Sequence, residues 1–466
     1  MTLDLSPDSG ARDAGPPVPV PAVGLGERLR GGVSFRRDQL GFLQWAARTH
    51  GDIVRFRLFG IPMIMLNHPD HIYRVLVEQR SKYDKDALLY RLVRPVLRDG
   101  LIGNPGGELW QRQRRLMQPS FRPVVVARFA ENMTDETGAM LERWERRYAP
   151  GTVVNVHEEF GELALRIVNR SLFSARVGSA ARDFAEAFTE ANALLGRFFK
   201  FPFPPLTVPT PGHRRLRRAI DRMDAFVASF VQRRTAAGPG DEVDLLTLLM
   251  NAVDEDGDGR GMEPEQLHHE VLNLVVGAYE TTTNALSWIF YLLAAHPEVE
   301  RKLHEEADAV LGGRVPRFED MARTPYARSV VEETLRLYSP AWQFMRRART
   351  EDSIGGFHIP ARSNIYLNSY VLHRHPQLWD DPESFDPGRF TPERSAGRPR
   401  HAYMPFGGGE RVCIGQHFAL TELHLVLLTV VRRHRFRLPP GRPPVRPQPL
   451  ITLHPEGGVP LEVHPR

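Results

Sequence analysis

Cysteine, lysine and long apolar runs are all scarce in this chain of 466 residues, and each scarcity excludes something. Cys413 is the single cysteine, so no intramolecular disulfide can form and no Cys-rich zinc site can be built. Lysine occurs only at Lys82, Lys85, Lys200 and Lys302, leaving positive charge to arginine. The best apolar runs, around Ala285–Ala295 and Leu423–Val431, fall short of the roughly 18–20 residues that a membrane span needs. Met1–Leu25 is broken by Pro7, Pro16, Pro17, Pro19 and Pro21 and has no signal-peptide core. A net charge of +5 is too mild for a nucleic-acid binder. The composition, 42% hydrophobic and 25% charged, is that of a soluble globular chain. A cytoplasmic protein without a membrane anchor or nucleic-acid partner is expected, with residues 1–30 a flexible Pro/Gly-rich segment and 31–466 one domain.

What is present is mainly helical patterning. Helices are expected over about 68–79, 135–147, 158–173, 181–199, 213–234, 265–295, 330–338 and 416–431. The longest, Glu265–Ala295, spans roughly 45 Å and is closed by Pro297. Strand patterns are fewer. Residues 51–58 and 61–66 alternate as a hairpin, 153–156, 341–345 and 364–367 read as short strands, and 450–453 with 457–463 reads as a second hairpin. Residues 84–104 look irregular. Residues 201–211 carry too many prolines for a helix, and 236–242 reads as a linker.

One acidic stretch mimics a calcium loop. Asp254, Asp256, Asp258, Gly259 and Glu265 match an EF-hand spacing, but Gly261 stands where an apolar residue belongs and Pro264 adjoins the last ligand. A solvated acidic turn ahead of the long helix is the expectation.

The densest chemistry lies in Phe406-Gly-Gly-Gly-Glu-Arg-Val-Cys-Ile-Gly415. Three glycines before a cysteine permit a tight turn and close approach to a flat group. Arg411 supplies positive charge two residues from the sulfur, Gly415 leaves room beside it, and the following helix N-terminus favours an anion there. The competing reading is a buried structural thiol.

This decapeptide resembles the haem-binding loop of the cytochrome P-450 family, in which the cysteine is the axial iron ligand. Three further motifs resemble that family in its own order. Trp110 and Arg114, on one face of a helix, resemble the W-x-x-x-R pair that donates to a haem propionate. Gly277-Ala278-Tyr279-Glu280-Thr281-Thr282 resembles the oxygen-activation segment, with Ala-Gly reversed so that the Ala278 methyl narrows the site over the haem. Glu333 and Arg336 resemble E-x-x-R, with Arg389 in Asp386-Pro-Gly-Arg389-Phe390 as its third, structural member.

The resemblance implies one mainly α domain with small β-sheets and a haem b between the long helix and the Cys loop. Cys413 is then the metal ligand. Trp110, Arg114, Ala278, Arg346, Phe406, Arg411 and Gly415 hold the cofactor, with Arg347 the alternative to Arg346. Glu280 and Thr281 relay protons for insertion of one oxygen atom of dioxygen into an apolar terpenoid, polyketide or fatty-acid-like secondary metabolite. Expected pocket residues are Leu88, Leu89, Phe201, Phe203, Tyr279, Trp342, Phe344 and Leu450. Electrons come from ferredoxin and ferredoxin reductase, with Arg112, Arg115 and Arg400 as contacts, and a monomer is expected. Two other readings stay open: haem-thiolate chemistry without oxygen insertion, such as coupling, peroxygenation or rearrangement, and a non-catalytic haem sensor or binding protein.

Overall fold

The structure, a computed structural model, describes residues 18–24, 26–27, 34–58, 60–174, 179–198, 208–237 and 244–466. Most of the expected N-terminal segment, Phe201 and Phe203, and residues 238–242 of the expected linker lie outside these.

Eleven helices of ten or more residues are present among the described residues: α1 (Gln39–His50), α2 (Leu88–Leu97), α3 (Glu108–Met117), α4 (Ala130–Arg147), α5 (Val156–Phe173), α6 (Ser179–Phe198), α7 (Pro211–Ala237), α8 (Pro264–Ala295), α9 (Pro297–Leu311), α10 (Pro325–Leu337) and α11 (Gln416–Val431). The expected α11 has the observed bounds, and α4, α5 and α10 begin two to five residues earlier than their patterns indicate. Pro325 at the first position of α10 accounts for one of these starts, and Pro264 likewise opens α8, because the missing N–H is unneeded there.

Two expectations need correction. The segment 84–104 is not irregular throughout: α2 buries Leu89, Val93, Val96 and Leu97 at helical spacing, and Pro95 sits in its last turn, where few helical bonds remain to be lost. The C-terminal hairpin is also shifted. Pro447–Pro449 pairs with Leu453–Pro455, making Leu450–Thr452 its tip. Pro460–Pro465 instead pairs with Thr152–Asn155 and His434–Arg437.

The largest sheet has five strands in the order Ile53–Leu58, Ile61–Leu66, Asn364–Asn368, Gln343–Ala348, Tyr83–Asp84. Its first strand alternates, burying Val54, Phe56 and Leu58 and exposing Arg55 and Arg57. The helices enclose the main core, and a smaller core of Ile64, Leu66, Ile72, Val75, Phe344, Ile365 and Leu367 packs along this sheet. Helix α8 runs about 48 Å through the main core. Its middle is buried almost all round, since α5, α6, α7, α10 and α11 all pack near it. The Cys loop enters α11 on one side of a cavity, and the middle of α8 forms part of another wall.

Candidate active site

Cys413 sits between a tight turn and the start of α11. Gly407 and Gly409 adopt left-handed φ of 73° and 68°. A side chain at Gly409 would put its Cβ 2.2 Å from the Leu76 carbonyl oxygen, so here glycine permits an approach to the protein's own backbone. The Cys413 amide closes the loop by donating to Phe406 O at 3.0 Å. Its sulfur is accessible, yet protein surrounds it: the surface it presents is to the internal cavity and not to bulk solvent. Burial raises the thiol's pKa, while the Gly415 amide and the Arg114 charge act in the opposite direction. The cation that acts on the sulfur is therefore Arg114. Arg411, expected in that role from its place in the sequence, lies 3.9 Å over the Trp110 ring and donates to Asn104 O at 3.0 Å.

The cavity has a volume of about 400 Å³. Four cations line it: Lys85, Arg114, Arg346 and Arg411. Each donates to a main-chain carbonyl, of Ile102 at 2.8 Å, Val412 at 2.9 Å, Met345 at 2.9 Å and Asn104 at 3.0 Å in turn. Among the described residues none of the four has a carboxylate within 4.0 Å. Burial is the first cause lowering the pKa of each, and Lys85 is lowered further by Arg411 and Arg346. Beside them the buried Trp110 Nε1 has no hydrogen-bond partner among the described residues. Cations and an indole N–H gathered with no carboxylate beside them suit a ligand bearing carboxylates. The residues fit a haem with its propionates, and the small side chains of Gly277 and Ala278 line the same cavity. Strand alternation separates the adjacent arginines: Arg346 lines the cavity, whereas Arg347 bonds Asp86 at 3.0 Å. Lys85 was not expected. Its cue is slight, a lysine among the few in the chain, with its ammonium 4.0 Å from the Tyr90 ring.

Thr281 donates to Gly277 O at 2.5 Å, bonding back into its own helix. That bond suits a merely structural threonine as well; what distinguishes Thr281 is its place on the cavity wall with Gly277 and Ala278. The acid beside it points elsewhere. Glu280 Oε1 accepts from Thr452 Oγ1 at 2.9 Å, Asn192 Nδ2 at 3.0 Å and Asn284 Nδ2 at 3.4 Å. Burial works to neutralise Glu280, but His454, His157 and the Thr452 hydroxyl outweigh it and hold the carboxyl below its usual pKa. Neighbours on a helix do not face one another, so an adjacent acid and alcohol reach different partners.

Next to the loop a second group of charges is fully enclosed. Arg336 grips Glu333 through two bonds of 2.7 and 2.8 Å, both side chains being completely buried. It also donates to His373 O, Pro382 O and Ser384 O. Arg389 Nε stands 3.3 Å from the same carboxylate. Motif reading did not find His373. It accepts from the Met404 amide at 2.8 Å and bonds Arg336 O at 3.0 Å, joining this network to the segment that leads into the Cys loop. Burial lowers His373 to about 3, so it is neutral.

The cavity takes in some of the residues expected at the pocket and not others. Leu89 and Phe344 line the cavity. Leu88, Tyr279, Trp342 and Leu450 do not. Tyr279 turns towards Phe188 and Gly161, and Trp342 is wholly buried and donates to Leu450 O at 3.1 Å. The hairpin tip does reach the cavity, but through Ile451 and Thr452. Phe188, Asn192 and Leu195 of α6 were missed; their i, i+4, i+7 spacing marks a buried face without saying that the face meets a cavity.

The acidic turn is bound to α3. Arg115 holds Asp254 through two bonds of 2.8 Å, and Arg112 holds Asp258 at 3.0 Å. Two of the three arginines expected to meet an acidic partner are thus paired within the chain, while Arg400 is exposed. No helix among the described residues is long and apolar enough to cross a membrane.

Comparison with known proteins agrees with this geometry. The chain is 36% identical over 421 residues to cyclooctatin synthase of Streptomyces melanosporofaciens, covering 90% of this chain and 89% of that one. It is 33% identical over 443 residues to pentalenene oxygenase of Streptomyces avermitilis, covering 94% of each. Among solved structures, the heme domain of cytochrome P450DA superposes with a TM-score of 0.85 at 26% identity, over 97% of this chain and 98% of that one. The family model for Cytochrome P450 matches residues 14–460. With its cysteine loop, its long central helix and the buried glutamate–arginine network all in place, the chain belongs to the cytochrome P450 family.

Proposed function

We propose that Cys413 is the axial thiolate of a haem b, and that the chain is a monooxygenase acting on a terpenoid-like substrate. Of its relatives, one is named an oxygenase of pentalenene and another a synthase of cyclooctatin. The observation that carries the cofactor assignment is the sulfur open to a cavity whose cations and orphaned indole N–H await an anion. Bound there, a haem-thiolate supplies reductive dioxygen activation, with the thiolate pushing electron density towards O–O cleavage.

The protein's own contributions follow from its side chains. Trp110, Arg114, Lys85, Arg346 and Arg411 orient the cofactor by its carboxylates. Gly415 N–H and Arg114 favour charge on the sulfur and offset part of the burial that raises its pKa. The Thr281 hydroxyl, on the cavity wall, holds and passes a proton at Oγ1, while Glu280 is turned to Thr452, Asn192 and Asn284 and stands outside that step. The apolar wall of Leu89, Val93, Leu101, Phe188, Leu195, Phe344 and Ile451 binds a carbon skeleton and excludes water. Electrons come from a separate ferredoxin and its reductase, and the protein works as a cytoplasmic monomer.

The test is the carbon monoxide difference spectrum of the reduced protein beside Cys413→Ser. The expected result is a strongly red-shifted Soret band, lost in the variant. A band typical of histidine-ligated haem, or a band unchanged in Cys413→Ser, overturns the assignment.

A further inference from the structure

One wall of the cavity is a short run of chain, residues 99–104, which follows α2 and brings Leu101 and Ile102 to the cavity. It is held from two directions. On the α8 side the Leu101 amide donates to Glu270 at 2.9 Å and the Ile102 amide to Asn273 Oδ1 at 3.0 Å. Gly100 has no room for a side chain, because a Cβ there would lie 2.3 Å from Asn273 Nδ2 and 2.7 Å from His269 O. On the other side Lys85 Nζ donates to Ile102 O at 2.8 Å and Arg411 Nη1 to Asn104 O at 3.0 Å. Two of the four cations gathered at the cavity thus also hold this wall.

The wall also meets the reactive helix. A Cβ built on Gly277 would lie 3.5 Å from Ile102 Cδ1, so Ile102 packs against the turn of α8 whose carbonyl Thr281 bonds. Lys85 is the more sensitive of the two ties. It is 8% exposed, its ammonium lies 4.0 Å from the Tyr90 ring centroid, and one of its three N–H groups is used, for Ile102 O. Burial, Arg411 and Arg346 all act against its charge, while Asp84 and Glu410 favour charge on those two arginines. With no anion beside it the ammonium is driven towards the neutral amine, and a neutral donor makes a bond roughly half as strong as a charged one. An anion among these cations reverses that and tightens the bond to Ile102.

We propose that Lys85 is a positioning residue coupling the cofactor's carboxylates to the substrate-facing wall: a carboxylate beside its ammonium fixes Leu101 and Ile102 against α8, and without one they loosen. The inference rests on the haem assignment above and goes beyond it. It makes the shape of the substrate chamber depend on the cofactor's acid groups and not on its ring alone. Glu270 and Asn273 hold the Leu101 and Ile102 amides in either case, so the wall slackens on one side and stays attached.

The test loads the protein with haem or with haem dimethyl ester, which has the same ring and iron but no carboxylates. Backbone hydrogen exchange is then followed by mass spectrometry. In the wild type, peptides spanning 99–106 should exchange about ten-fold faster with the ester than with haem, while α10 and α11 exchange alike. In Lys85→Met the segment should exchange fast with either cofactor, the difference falling below about two-fold. A lysine that merely packs the segment would speed exchange in the variant without separating haem from ester in the wild type, and that result overturns the proposal. Equal acceleration throughout the chain with the ester also overturns it. Where the ester is not taken up, haem-loaded Lys85→Arg and Lys85→Gln decide: both can donate to Ile102 O, only arginine pairs with a carboxylate, and equal exchange in the two overturns the coupling. A haem-loaded wild type without a thiolate-type carbon monoxide spectrum overturns the haem assignment and the coupling together.

Discussion

The two sides of the cavity use polar groups in opposite ways. Near the Cys loop, Glu333, Arg336, Arg389 and His373 form a network in which nearly every donor meets an acceptor inside the protein. On the wall of α6, α8 and the hairpin tip, Asn192 Oδ1 and Asn284 Oδ1 are buried without partners. A satisfied buried network fixes one geometry, which is what a metal ligand requires. An incompletely satisfied one leaves a place for something from outside. The cation cluster at Trp110 belongs with the second kind, since its cations line the cavity without a carboxylate beside them and the indole N–H has no partner among the described residues.

The largest break in this contrast is Arg336→Ala. It leaves the Glu333 carboxylate buried beside Arg389 alone and strips three carbonyls of their donor, so stability falls by about 3–5 kcal/mol in denaturant unfolding, with loss of soluble protein. A loss below about 1 kcal/mol would show that the network is not what holds the loop.

Glu422 of α11 tests the boundary between the two sides, because it lies 3.5 Å from the Thr282 hydroxyl of α8. Burial lifts it to about 8, with the Thr282 hydroxyl opposing. The folded protein retains a proton that the unfolded chain releases near its ordinary pKa of 4.5. This contribution to stability is therefore complete below pH 4.5 and disappears as pH rises through about 8. Between pH 6 and 8 the wild type should lose about 2 kcal/mol that Glu422→Gln does not lose. Parallel stability–pH profiles for the two proteins would show that Glu422 is ionised in the fold.

Thr281→Ala acts only on the reactive side. Its hydroxyl bonds to Gly277 O and carries no tertiary contact through that bond, so unfolding should shift by less than about 1 kcal/mol. Product formed per NADPH consumed should fall by about ten-fold or more, because the proton-passing group is gone. Tight coupling in this variant removes Thr281 from proton transfer and leaves it a helix residue.

Legibility in the sequence differed between the same two regions. Phe406–Gly415 could be read directly because its function depends on neighbours within ten residues, whose order sets the turn. Glu333 and Arg336 were legible for the same reason, being one helical turn apart. Misreadings came where contiguity ceased to help. Arg411 is close to Cys413 along the chain, but Arg114, almost 300 positions earlier, is the cation that acts on it. Glu280 adjoins Thr281 but belongs to a cluster with Asn192 and Thr452.

The sequence alone determined the fold class, the metal-ligand candidate and the longest helices, since periodic burial and short motifs are written in consecutive residues. Only the tertiary structure decided which buried residues face the cavity. Burial in a core and burial against a cavity impose the same apolar pattern on a helix or strand. The difference is made by the elements packed opposite, and here those come from α2, α6, α8, the Gln343–Ala348 strand and the hairpin tip, segments brought together only by the fold.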